Sequence, residues 1–204
     1  MNNKDLLIKK LTKLNLFEEK KYLAAFNAID RADFVLDEYK DKAYLDIALP
    51  IYHAQTISQP FTVFFMLNLL DPQKNDKVLD IGCGSGYTSA LLSHLVSAKS
   101  KVIALDIISD LIEFAKNNVK KYKELNIEFR LASEDQIGIK DQKFDKILVS
   151  AAVKRLPNEL LEQLNLNGKL VIPINDSICI YTKDRKNNLK EEKYYGFSFV
   201  PLIY

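Results

Sequence analysis

Several common features are missing from this sequence, and each absence closes off a class of protein. Only 2 cysteines, Cys83 and Cys179, and 2 histidines occur in 204 residues, with no CxxC pair and no histidine cluster. That argues against a disulfide framework and gives no metal-ligand spacing, so free thiols, no metal and a reducing compartment, the cytoplasm, are expected. Glycine and proline are sparse, 6 of each, and with 48% hydrophobic residues the chain reads as an ordered globule rather than a linker or tail. No apolar run approaches the roughly 20 residues that span a bilayer. The N-terminal MNNKDLLIKKLTKLNLF lacks the apolar core and small-residue cleavage site of a secretory signal. Neither sign of charge dominates, 29 basic residues against 27 acidic, and no long basic block stands out, so neither nucleic acid nor membrane is expected as a partner. The lysines of residues 183–193 alternate with Asp184, Glu191 and Glu192, the composition of a solvated hairpin. No repeat, low-complexity tract or linker divides the chain, and its length suits one domain, expected to be monomeric.

What is present centres on residues 77–92, where VLDIGCGSGYTSALL follows Lys77. The run VLDI suits a buried strand, and Gly82, Gly84 and Gly86 then force a tight turn with little side-chain bulk. From Tyr87 the pattern becomes helical, with Ala90, Leu91 and Leu95 on one stripe, so the glycine loop ends at a helix N-terminus with free N–H groups and positive dipole. The spacing is GxGxG; a dinucleotide fingerprint would need glycine where Tyr87 stands. A second acid, Asp106, ends the next apolar run, KVIALD, which places its carboxylate at the tip of the neighbouring strand, within reach of ribose hydroxyls. Asp80 closes the first strand beside the loop. Cys83 within the loop reads as a small buried filler, since no histidine lies nearby to activate it. This arrangement resembles the S-adenosylmethionine site of class I methyltransferases.

Upstream, residues 5–16 and 18–30 read as two helices, the first with Leu7, Leu11 and Leu14 on one face, the second with Tyr22, Ala25, Phe26 and Ile29. Residues 43–51 have extended character. A polar loop at 52–61 concentrates Gln55, Thr56, Ser58 and Gln59 before an apolar helix over 63–70, where Pro60 suits a helix start and Ser58 is a candidate N-cap. Downstream, Ser109 is a candidate N-cap for a helix bearing Leu111, Phe114, Ala115 and Val119. Residues 127–133 read as a third strand, and 143–153 as a fourth, ending in small residues that let a ligand approach. A short helix over 157–164 is followed by a turn at Asn167-Gly168 into a fifth strand, KLVIPI. SICIYTKD and a segment around YYGFSFVPLIY form an antiparallel pair turned at residues 186–188. The expected fold is α/β: a Rossmann-like doubly wound sheet, mostly parallel, with an antiparallel C-terminal addition and N-terminal helices. Within one domain, residues 1–62 would carry the helices and substrate loop, 63–175 the cofactor-binding core and 176–204 the antiparallel strands.

Taken together, AFNAIDRADFV (25–35), AYLDIALPI (43–51), QTISQP (55–60), VLDIGCGSGYTSALL (78–92), FDKILVSAAV (144–153), LPNELLEQLNLNGKLVIPI (156–174) and FVPL (199–202) resemble the protein-L-isoaspartate O-methyltransferase family, which starts the repair of damaged aspartyl and asparaginyl sites. The QTIS-x-P loop is far more specific than the glycine motif. The resemblance implies S-adenosyl-L-methionine as cofactor and isoaspartyl-containing proteins or peptides as partners. Ser58 would contact the reacting carboxylate as the catalytic residue, with Gln55 and Thr56 shaping the same loop and Val200 and Leu202 offering backbone groups to the damaged peptide. Gly82, Gly84 and Gly86 would pass close to the methionine portion, Asp80 would fix the loop or the ligand's ammonium, and Asp106 with Ile107 would hold the ribose. Two departures stand out. Ala54, preceded by His53, replaces the family's usual glycine. Ala132-Ser133-Glu134 replaces its usual GDG, leaving Ser133 and Glu134, or Asp135, to meet the adenine. His53 reads as a loop-packing residue, because the reaction needs no base. The alternatives are a methyltransferase of the same fold acting on another carboxylate or a small molecule, and a degenerate binding module, which the two departures would favour.

Overall fold

The computed structural model describes residues 3–17 and 19–203; Glu18 and Tyr204, at the ends of two expected segments, lie outside the described residues. Helix α1 (Asn3–Lys13) ends before Leu14, which is exposed rather than on the apolar stripe, and α2 (Lys20–Ala28) follows. The expected extended stretch at 43–51 reduces to a two-residue strand β1 (Leu49–Pro50), paired antiparallel with β2 (Thr56–Ile57). Helix α3 (Pro60–Leu70) leads into the alternating core: β3 (Val78–Ile81), α4 (Tyr87–Val96), β4 (Val102–Asp106), α5 (Ser109–Val119), β5 (Ile127–Leu131), β6 (Phe144–Val149), α6 (Asn158–Glu162), β7 (Leu164–Ile174), β8 (Ser177–Lys183) and β9 (Leu189–Tyr195).

Seven strands form one sheet in the order β5-β4-β3-β6-β7-β8-β9; the first five in this order run parallel and the last two antiparallel. The chain therefore starts in mid-sheet at β3, steps outward to β4 and β5, and returns to the other side of β3 with β6. A crevice opens at such a reversal, outside the carboxyl ends of the strands.

Alternation along each strand splits the core into two layers. Val78, Val102, Leu148 and Val171 face α1 to α5, whereas Leu79, Ile81, Ile103, Ile147 and Leu170 face α6 and the loops around Ile137 and Val153. Both faces are thus apolar, as buried parallel strands require. Edge strand β5 is only half-buried and carries Glu128 between Lys101 and Arg130, charges that discourage edge-to-edge pairing.

Three local expectations change. Asn167-Gly168 is no turn before a strand: β7 already begins at Leu164, and its register on β6 shifts between Phe144↔Leu164 and Lys146↔Lys169. The dipeptide forms the bulge, with Asn167 at φ 62° and a Gly168 Cβ that would fall 2.8 Å from the Asn165 carbonyl oxygen. The hairpin partner of β8 lies earlier than YYGFSFVPLIY, over Leu189–Tyr195, because the turn closes at Asp184–Asn188. This frees residues 196–203 to run back across the sheet. Ser109 is the first helical residue of α5, and the N-cap position belongs to Ile108. Among the described residues no helix is long and apolar enough to cross a membrane, and no group of side chains has metal-ligand character.

Candidate active site

A cleft opens where the topology predicts, lined by the carboxyl ends of β3, β4 and β6, by the 55–58 loop and by residues 200–203. Its floor is the glycine loop. Gly82 and Gly84 adopt φ of 75° and 51°, and the N–H groups of Gly82 and Cys83 both donate to the Leu105 carbonyl, at 2.8 and 3.0 Å, tying the loop to β4. Gly86 has a different job. It does not line the cleft; at φ 83° it brings α4 against α5, where a Cβ would lie 3.0 Å from that of Ala115. Cys83 is buried, and burial, with Asp80 and Asp106 nearby, pushes its thiol up, away from any nucleophilic role.

The two acids sit differently. Asp106, 7% exposed, lines the cleft and is held by main-chain donors: Gly84 N–H to Oδ2 at 2.9 Å and Ile108 N–H to Oδ1 at 3.1 Å. Burial raises its carboxyl above the usual range and these N–H groups, with that of Ile107, oppose the rise. Each oxygen retains acceptor capacity toward the cleft. Asp80 is fully buried below the floor and does not line it. Its Oδ2 accepts from Ser89 of α4 at 2.6 Å, while Oδ1 has no partner of good hydrogen-bond geometry among the described residues. Burial pushes this carboxyl up to about 7; the Ser89 and Ser150 hydroxyls oppose the shift and the Asp106 carboxylate adds to it.

The wall opposite the floor is the β1–β2 hairpin. Its turn places His53 and Ala54 consecutively in the left-handed region, φ 58° and 55°, so Ala54 occupies a conformation that favours glycine. Contacts to α5 hold this turn: His53 Nε2 lies 2.8 Å from Asp110 Oδ2, and Tyr52 packs edge-on against Phe114 with ring centroids 5.0 Å apart. His53 is thus a packing residue, as expected. Gln55, Thr56 and Ser58 all reach the cleft. Ser58 is not a helix cap. The N-cap position of α3 is Gln59, which makes no side-chain cap; the Phe61 N–H is instead met by Asp46 at 2.8 Å from another part of the chain. The Ser58 hydroxyl has no hydrogen-bond partner among the described residues and is available to a ligand.

At the far side, Val200 and Leu202 also line the cleft, and part of the backbone expected to be open there is engaged. The Val200 carbonyl accepts from Ala152 N–H and the Leu202 N–H donates to the Ala152 carbonyl, both at 2.8 Å, as a short parallel bridge beyond β6. Ile107 and Ser133 line the cleft; Glu134 does not, and lies in an adjoining groove with Arg155 and Glu159. A loop that no motif announced supplies Gln136, Ile137 and Gly138. Gln163, at the end of α6, binds it through the Ile137 carbonyl and the Ile139 N–H, at 3.0 and 2.7 Å. Thr88 was likewise missed, whereas Ser150 and Ala151 belong to the small-residue end of β6 that the sequence marked.

The family model for protein-L-isoaspartate(D-aspartate) O-methyltransferase matches residues 1–204. The chain belongs to this family. Among curated members of the protein-L-isoaspartate O-methyltransferase family, that of Methanopyrus kandleri is 36% identical over 97% of this chain and 89% of its own. That of Thermosipho melanesiensis is 40% identical over 90% and 94%. The fold matches a Plasmodium falciparum protein described as a protein-L-isoaspartate O-methyltransferase, crystallised with S-adenosyl-L-homocysteine, at a TM-score of 0.84, 26% identity and 99% coverage of both chains.

The cleft fits the cofactor of a protein-L-isoaspartate O-methyltransferase on its own terms. A floor free of Cβ atoms at Gly82 and Gly84 and a cleft-facing carboxylate, Asp106, at the tip of β4 match a ligand that carries a ribose and lies close against the main chain.

Proposed function

We propose that this chain is a protein-L-isoaspartate O-methyltransferase that methylates the free α-carboxylate of isoaspartyl residues in damaged proteins. The observation that carries this reading is the meeting, in one cleft, of the glycine floor and Asp106 with a free Ser58 hydroxyl on the opposite wall. S-adenosyl-L-methionine, when bound, supplies a methyl group attached to a sulfonium.

Asp106 and Ile107 hold the ribose end, Gly82 and Gly84 let the ligand lie against the main chain, and Asp80, below the floor, steadies the start of α4 and the loop before it through Ser89. Ser133, with Gln136, offers polar contacts toward the base, in place of the acid usual in the family. Ser58 donates to the acceptor carboxylate, Gln55 and Thr56 shape that wall, and Val200 and Leu202 contribute apolar side chains to the substrate side. An α-carboxyl has a pKa of about 3.3–3.7, so the acceptor is ionised at neutral pH and no protein group has to act as base. The contribution of the chain is alignment, an effect that supplies roughly 7–11 kcal/mol when fully developed. The resulting ester would close to a succinimide without further help from the enzyme, which opens the route back to aspartate.

The substrate loop and N-terminal helices, the cofactor core and the C-terminal strands act as parts of one domain. The protein works as a cytoplasmic monomer on proteins or peptides, with no nucleic-acid or membrane partner; the near balance of charge and the charged sheet edge at β5 support this reading. Methyl transfer to an isoaspartyl peptide and to its normal aspartyl twin tests the activity. Labelling of the isoaspartyl peptide alone is expected; equal labelling of both would return the chain to a methyltransferase of broader carboxylate specificity.

A further inference from the structure

Arg31 is 1% exposed, in the short 3₁₀ turn Arg31–Phe34 after α2, and among the described residues no carboxylate forms an ion pair with it. Its charge is solvated by main-chain carbonyls instead. Nη1 donates to Ala43 at 2.7 Å, and Nη2 donates to Ile47 at 3.2 Å and to Ser58 at 3.0 Å. Burial draws the guanidinium down to about 10, with Tyr87 and the Asp46 carboxylate opposing the shift. Asp46, the acid nearest in sequence to the clamped carbonyls, acts on the guanidinium through its charge alone, its oxygens being engaged by the Phe61 N–H and by Lys10 at 2.6 Å.

We infer that Arg31 is a positioning residue for methyl transfer: its guanidinium joins the 43–47 segment to the Ser58 carbonyl and so sets where the Ser58 hydroxyl points. The hydroxyl itself has no partner that could orient it, and Ser58 lies just outside α3, where helical hydrogen bonding does not fix the main chain. The planar fork of arginine spans carbonyls from two separate segments at once. A lysine ammonium keeps the charge but, as a point donor on a flexible stem, cannot bridge all three. The residues that make the cofactor floor, by contrast, are tied to β4 and touch none of the carbonyls Arg31 holds.

This inference rests on the role of Ser58 proposed above, and the two are separable. Ser58→Ala removes the hydroxyl and keeps the carbonyl, whereas Arg31→Lys removes the clamp and keeps the hydroxyl. For Arg31→Lys, assayed well below its melting temperature, kcat/KM for an isoaspartyl peptide should fall on the order of 100-fold, while affinity for S-adenosylhomocysteine stays within about threefold (~0.65 kcal/mol). A folded variant with kcat/KM near that of the parent, or one that loses cofactor affinity in parallel with activity, overturns the inference even where Ser58→Ala is severely impaired. If Arg31→Lys does not fold, hydrogen exchange of the unmodified protein decides. Amides of residues 43–48 and 56–59 should open as one unit, and protection differing by more than about tenfold between them overturns the clamp.

Discussion

Replacing Asp80 with asparagine probes the electrostatics beneath the glycine loop. The Asp80 carboxyl is fully buried, has one oxygen bonded to Ser89 and one without a partner of good hydrogen-bond geometry among the described residues, and titrates at about 7 against an ordinary 3.8. On raising the pH, the unfolded chain ionises this residue near pH 4, while the folded protein keeps its proton to near pH 7. Between those values the folded state binds more protons than the unfolded state, so stability falls with rising pH and levels off above the folded value. A gap of roughly 3 pK units corresponds to about 4 kcal/mol in all, as an upper bound, of which about 2.7 kcal/mol belongs to the interval from pH 5 to pH 8. Asp80→Asn preserves volume and the acceptor for Ser89 and has nothing to titrate. Urea unfolding of both proteins without ligand, at pH 5 and pH 8, should show the variant gaining on the parent by up to that amount at the higher pH. A stability difference that is the same at both pH values within about 0.5 kcal/mol would refute the assignment of a proton-holding carboxyl at this position.

Asp106→Ala should weaken S-adenosylhomocysteine binding at least tenfold by calorimetry, about 1.4 kcal/mol, because it removes the cleft-facing acceptor and frees the N–H groups of Gly84 and Ile108. Unchanged affinity would rule out the ribose contact. Ser58→Ala should lower turnover at least tenfold with a melting temperature within about 2 °C of the parent, since Ser58 caps no helix; a variant that is fully active would remove Ser58 from the acceptor site. Ala54→Gly should relieve a left-handed alanine, a strain of about 1–2 kcal/mol partly offset by about 0.4–1 kcal/mol of added unfolded-state entropy. A net stabilisation of about 0.5–1 kcal/mol in chemical unfolding is the expected result, and a loss of stability would count against strain at the hairpin turn.

The legible part of the site was local. Gly82, Gly84 and Asp106 lie where a strand, a tight turn and a helix repeat in sequence, and the parallel β-α-β geometry then places a strand-tip acid next to the loop. Gly86 was legible as a glycine, but the reason for it, the close approach of Ala115 in α5, comes from another element. Ser58 read equally well as a cap or a ligand contact until Asp46, from a separate segment, proved to cap α3. Val200 and Leu202 line the cleft, yet the Val200 carbonyl and the Leu202 N–H are engaged by Ala152, a pairing between residues about fifty positions apart that no spacing rule encodes.

By itself the sequence determined the alternation of strands and helices, the apolar faces and the cofactor loop, because hydrophobic periodicity and the glycine turn act over a few residues. Only the tertiary structure decided that Asp80 lies beneath the cleft rather than in it, that Glu134 turns to a neighbouring groove, that Gln163 anchors the loop of Gln136 and Gly138, and that Arg31 holds Ser58 from behind. Burial and long-range hydrogen bonding depend on which segments the fold brings together, and that is set by packing the whole chain.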